Sequence, residues 1–190
     1  MCIEVDQMTI TGMIEEKVNI PTGVTVEIEG PVVKVSGPNG KLSREFVHNR
    51  AKIAEKEGRI VVSCEMPRVR DKAVVGTFAA HIRNMIEGVT SGFEYKMKIV
   101  YSHFPIKAYA KGEKFIIENF LGERTPRKSN IVRDTKIVIK GNDIVLTGAD
   151  LEAVSQTAAN IERSTRIKGF DSRVFQDGAY IVEKAGKVSK

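Results

Sequence analysis

Apolar and polar positions along this chain change period in a regular way. In GVTVEIEG, Val24, Val26 and Ile28 alternate with polar residues, which predicts a half-buried strand. RIVVSC, from Arg59 to Cys64, predicts a second, more apolar strand. The period then lengthens. Val75, Phe78, Ala79, Ile82, Ile86 and Val89 fall on one face of a predicted helix, and Leu151, Val154, Ala158, Ile161 and Thr165 do so on another. Asp71 and Asp150 stand at the expected helix starts, where carboxylates suit exposed N–H groups. Gly88 and Gly169 are read as following the helix ends. GPNG (37–40), EKEG (55–58) and KGND (140–143) read as turns between strands.

The same unit occurs twice. Ile53 matches Ile137, Ile60-Val61 matches Ile144-Val145, and Ser63 matches Thr147, all 84 positions apart. The helices match 79 positions apart, Asp71 on Asp150, Val75 on Val154, Ala79-Ala80 on Ala158-Ala159 and Ile82 on Ile161. The difference is extra chain in the first copy, around EMPRVR. Upstream, VVKVSGPNGKL lies over FIIENFLGER with Gly40 on Gly122. The predicted class is α+β, two tandem duplicated domains, each an antiparallel sheet unit packed with one helix. The expected division is an N-terminal extension over 1–16, a first repeat over 17–91, a second over 92–172 and a C-terminal tail over 173–190.

Composition changes this picture little, and charge changes it much. Of 190 residues, 42% are hydrophobic and 28% charged, the balance of an ordinary folded chain. No apolar run approaches the roughly 18–20 residues of a membrane span, so no membrane partner is expected. Glu4 and Asp6 stand where a secretory leader would be cationic. Cys2 and Cys64 form no metal or disulfide pattern and suit a reducing cytoplasm, with Cys64 expected as a buried thiol. Residues 1–92 hold 12 Lys or Arg against 12 Asp or Glu, whereas residues 93–190 hold 18 against 12. The entire excess of +6 therefore belongs to the second copy. That asymmetry points to a polyanion on one repeat and another contact on the other.

The excess is clustered. FLGERTPRKSNIVR, read as an exposed loop, offers Arg124, Arg127, Lys128 and Arg133. ERSTRIKGFDSR offers Arg163, Arg166, Lys168 and Arg173, and EKAGKVSK offers Lys184, Lys187 and Lys190. Each such side chain that neutralises a phosphate releases counterions, and Arg can grip phosphate through two parallel bonds. One basic run is weak evidence, because Arg163 and Arg166 also complement a helix C-terminus. Three clusters confined to one half favour nucleic acid. RNA is preferred because the chain has no helix-turn-helix or zinc-finger pattern.

QTAANIERSTRIKGFDSRVFQDGAYIVEKAG, from Gln156 to Gly186, then resembles the C-terminal motif of the large-subunit ribosomal protein six family, called protein nine in eukaryotes. The matching residues are Gln156, Arg163, Arg166, Arg173, Phe175, Asp177, Gly178 and Tyr180. GVTSGFEYKMKIVYSHFPI and NFLGER are similar to the archaeal–eukaryotic branch. The resemblance runs from about Ile20 to Gly186 and departs at both termini. It implies tandem α+β domains and binding to large-subunit ribosomal RNA near the stalk base and the sarcin–ricin loop. It also implies neighbouring stalk-base ribosomal proteins as partners and a place in the cytoplasmic ribosome. Locally, Asp177-Gly178 suits a turn, Phe175 and Tyr180 suit anchors for the tail, and Arg173 is left free for RNA.

Catalysis has little to stand on in this sequence. His48, His81 and His103 are isolated, with no metal-ligand spacing, and Asp171 with Asp177 is not a convincing acid–base pair. GPNG fits neither nucleotide-binding loop. No catalytic residue, metal, cofactor or small-molecule substrate is expected.

Overall fold

The computed structural model describes residues 12–56, 58–102, 104–171 and 173–187. Residues 1–11, which include Cys2, Glu4 and Asp6, lie outside that set, as do His103, Lys190 and the side chain of Lys187. The chain divides into two compact units, one within Met1–Gly37 and Lys41–Ile86, the other within Pro38–Gly40 and Glu87–Lys190. The change of unit falls inside a helix rather than at Thr90–Gly92. The short Pro38–Gly40 turn goes with the second unit because Asn39 donates from its backbone to Val89 O at 2.9 Å and from its side chain to Thr90 O at 3.0 Å.

The first unit contains β1 (Met13–Asn19), β2 (Thr25–Glu29), β3 (Val32–Gly37), β4 (Gly40–Glu45), β5 (Ala51–Lys56), β6 (Arg59–Glu65) and, as far as Ile86, helix α1 (Val69–Thr90). The strands form two sheets, ordered β1-β6-β5 and β2-β3-β4. β6 is central in its sheet, and Ile60, Val61, Val62 and Cys64 are all buried, as its continuous apolar run requires. Val75, Ala79, Ile82, Ile86 and Val89 form the buried face of α1, with Met85 added and Phe78 half-buried. β1 starts at Met13, so residues 13–16 are strand paired with Val62–Glu65.

The second unit contains β7 (Phe93–Val100), β8 (Lys107–Lys111), β9 (Lys114–Glu118), β10 (Arg127–Asn130), β11 (Lys136–Lys140), β12 (Asp143–Gly148), α2 (Leu151–Ser164) and β13 (Gly178–Lys187). Its sheets are ordered β10-β9-β8 and β11-β12-β7-β13. The duplication is exact enough to reach the register. Ile60 pairs with Val18 and Ile144 with Met97, and all are buried. Val33 and Val35 of β3 correspond to Phe115 and Ile117 of β9, again all buried.

The copies differ at the second unit's C-terminus. Residues 178–187 are not a tail: β13 pairs antiparallel with β7 from Gly178↔Val100 to Lys187↔Phe93, with irregularities after Ile181 and Glu183. The carboxylates stand at the helix starts as expected, whereas the glycine expected after α1 does not follow it. Asp150 is the N-cap of α2 and accepts from Glu152 N at 3.0 Å. Asp71 lies inside α1 and reaches back to Arg68 N at 3.0 Å, the return half of a capping box. Gly88 lies within α1, and the glycine that follows this helix is Gly92, at φ 74°. A Cβ on Gly88 would come within 1.9 Å of Ala149 O, so close backbone approach rather than a turn explains this residue.

Candidate nucleic-acid interface

The segment from Phe120 to Arg133 is less of a loop than its Pro, Ser and Asn suggest. A single 3-10 turn (Phe120–Gly122) leads into β10, and the chain then runs along α2 from its C-terminal to its N-terminal end. Arg127 donates to Ser164 O at 2.9 Å and to Arg166 O at 3.1 Å. Further on, Asn130 O accepts from Asn160 Nδ2 at 3.3 Å, and Val132 N donates to Thr157 Oγ1 at 3.0 Å. Arg133 ends the run, paired with the N-cap carboxylate of Asp150. Two basic clusters thus meet at the C-terminal end of α2, where Arg124, Lys128, Arg163, Arg166 and Lys168 are exposed. Arg133 is separated from them by the helix length, about 20 Å for its 14 residues.

Arg127 departs from the sequence expectation. Besides the two carbonyls, its Nε and Nη2 donate to Glu123 Oε2 and Oε1 at 2.8 and 2.6 Å. Its guanidinium lies 4.0 Å from the centroid of the buried Phe120 ring. The Arg127 hydrogen bonds hold the Glu123 carboxyl below its ordinary pKa. This arginine ties the 3-10 turn to the end of α2, and its donors are spent inside the fold.

The C-terminal motif is also mostly architectural. Asp177 is buried, and its Oδ1 accepts from Ser102 N at 3.0 Å, joining the start of β13 to the end of β7. Thr165, at the C-cap of α2, accepts from Ala179 N at 3.0 Å and donates to Glu162 O at 2.9 Å. Tyr180 folds back so that its hydroxyl donates to Gln176 O at 3.1 Å. A Cβ on Gly178 would lie only 3.1 Å from that ring, so the glycine makes room for it. Phe175 is half-buried in a turn segment, not on a strand, with its ring centroid 5.1 Å from that of the exposed Phe170. Arg173 is exposed but held by Asp171, through Nη2–Oδ2 at 2.9 Å and Nε–Oδ1 at 3.2 Å. These bonds pull the Asp171 pKa down.

Sequence reasoning missed a further cationic surface. On the four-stranded sheet the register places Lys140, Asp143, Lys98 and Tyr180 side by side across β11, β12, β7 and β13. All of these are exposed, as are Lys96 and Lys136 on the same face. Lys96 pairs with Glu183 at 2.8 Å, and Lys184 is exposed on β13. The signal was the alternation in KMK of β7 and KIVIK of β11, which puts every lysine outward. His48 serves a loop, its Nδ1 accepting from Arg50 N at 3.3 Å and Ala51 N at 3.1 Å. Among the described residues, no group of three His, Cys, Asp or Glu gathers as a metal site.

Fold and surface define a duplicated α+β protein in which exposed cations collect on the second of two units. The sequence profile of the family Ribosomal protein L6 matches residues 20–92 and again 104–178, once per copy. The chain is 48% identical over 177 residues to "Large ribosomal subunit protein uL6" of Methanobrevibacter smithii, covering 93% of this chain and 99% of that protein. The chain belongs to the ribosomal protein L6 family.

Proposed function

We propose that this protein is a structural, non-enzymatic component of the large ribosomal subunit. Its second unit binds large-subunit ribosomal RNA near the stalk base and the sarcin–ricin loop. The observation that carries this reading is the charge asymmetry, 18 basic against 12 acidic residues after residue 92 and none in excess before it. The exposed cations at the end of α2 would contact phosphate: Arg124, Lys128, Arg163, Arg166 and Lys168, with Arg173 in the loop beyond. Lys98, Lys136 and Lys140 stand on the sheet face turned away from α2 and would offer a second cationic surface, with Lys184 exposed on β13. Lys187 is a candidate contact at the C-terminus. Arg127 holds the turn that presents Arg124 and Lys128. The first copy, with no net charge over residues 1–92, would face neighbouring stalk-base proteins. Hydroxyl-radical footprinting of large-subunit RNA with the full chain tests the location. Protection at the sarcin–ricin region and stalk base is expected, and protection confined to other helices would overturn it.

A further inference from the structure

The loop after α2 presents Arg173 already gripped. Asp171 takes Nε and Nη2 of Arg173 on its two carboxylate oxygens, and its Oδ1 also accepts from Arg173 N at 3.0 Å. The Asp171 carbonyl accepts from Val174 N at 3.1 Å and Phe175 N at 2.9 Å, so the clamp is built into the turn. The two side chains are 88% and 47% exposed, and a pair so open to water contributes little to stability. Stability therefore does not account for it. Charge alone argues against it, because a carboxylate among Arg166, Lys168 and Arg173 cancels one cation and repels phosphate.

Geometry does account for it. A guanidinium carries five N–H donors in a planar fork. Asp171 occupies the Nε edge and leaves the Nη1–Nη2 edge without a partner among the described residues, fixed in direction on an exposed loop. A fork fixed this way matches two acceptors in one plane and loses less freedom on binding than a mobile arginine. Resting on the RNA-binding reading above, we propose that Asp171 is a positioning residue. It aims the free edge of Arg173 at a pair of RNA acceptors, either two phosphate oxygens or guanine O6 and N7.

The test uses the full chain and large-subunit RNA. Asp171→Asn keeps a side-chain oxygen for Arg173 N, so the turn survives, but it removes the charged clamp. Binding should weaken about threefold to tenfold, with an unchanged melting temperature, and with no further loss in an Arg173→Ala background. Unchanged or tighter binding by Asp171→Asn would show that the carboxylate only repels RNA. A full additional loss without Arg173 would show that it acts through something else; either result overturns the proposal. Interference mapping separates the acceptors. A 7-deazaguanosine signal that disappears in Arg173→Ala identifies a guanine, a phosphorothioate signal that disappears identifies a phosphate, and neither disappearing overturns the contact. Failure of the underlying RNA-binding reading looks different, because wild-type protein and Arg163→Ala would then bind RNA equally poorly.

Discussion

Arg127→Ala should damage the fold of the second unit rather than its contact with RNA. The side chain is 21% exposed and makes four hydrogen bonds, two to Glu123 and one each to Ser164 O and Arg166 O. It also covers the Phe120 ring. Hydrogen bonds to a charged group contribute about 1.5–3 kcal/mol each when sheltered, and water reaching this site reduces that. The cation–ring contact adds about 0.5–1 kcal/mol. Truncation also takes this donor from the Ser164 carbonyl that ends α2 and from the Arg166 carbonyl just beyond it. The net cost is on the order of 2–4 kcal/mol, because losses within one network do not sum. For a domain near one hundred residues that corresponds to a drop in melting temperature of roughly 10–20 °C. Thermal unfolding followed by circular dichroism measures it, and RNA binding measured in the cold, with the variant folded, should stay close to wild type. Arg127→Lys should recover only part of the stability, since an ammonium cannot span four acceptors. An unchanged melting temperature together with a large loss of binding would refute the reasoning and return Arg127 to the RNA-facing set.

Three further outcomes follow from the same geometry. Gly88→Ala would gain about 1 kcal/mol from helix propensity alone, yet its Cβ would meet Ala149 O, so a net loss of about 1–3 kcal/mol is expected; a raised melting temperature would contradict the close approach. Asp177→Ala leaves Ser102 N without its acceptor and should cost about 1–3 kcal/mol in denaturant unfolding while sparing RNA affinity at low temperature. The Glu123 pKa is lowered in the folded state, so its contribution is present above the unfolded carboxyl value, near 4.3, and is lost as pH falls below it through the folded value. Glu123→Gln should therefore lower stability at neutral pH and flatten the acid limb of a stability–pH curve, and an unaltered acid limb would contradict the pairing.

The parts of the fold written in local periodicity were legible before any coordinates. The alternation in β2, the apolar run of β6 and the helical faces of α1 and α2 each fix an element, and the duplication carried each reading to its counterpart. What failed depended on contacts distant in sequence. Nothing near Arg127 says that carbonyls 37 and 39 residues later will take its donors, so it read like its neighbour Lys128. Asp177-Gly178 read as a turn because its partner, Ser102 N, is 75 residues away. β13 read as a tail because, among the described residues, the first unit's sheet has no strand in the corresponding place. The Asp171 clamp was closer to hand, two residues from Arg173, but a charge count records such a pair as one cation and one anion without saying that they meet.

The division of labour between the units is tested most directly by the salt dependence of RNA affinity in two multiply substituted full-length proteins. One carries Arg124, Arg163, Arg166 and Lys168 changed to Ala, and the other carries the exposed Lys41, Lys52, Lys56 and Arg59 of the first unit changed to Ala. Each lost phosphate contact makes the log–log slope shallower by about one unit. The first protein should lose about three to four units of slope and most of its affinity at moderate salt, while the second keeps a slope near wild type. Equal losses in the two proteins would contradict the assignment of RNA binding to the second unit.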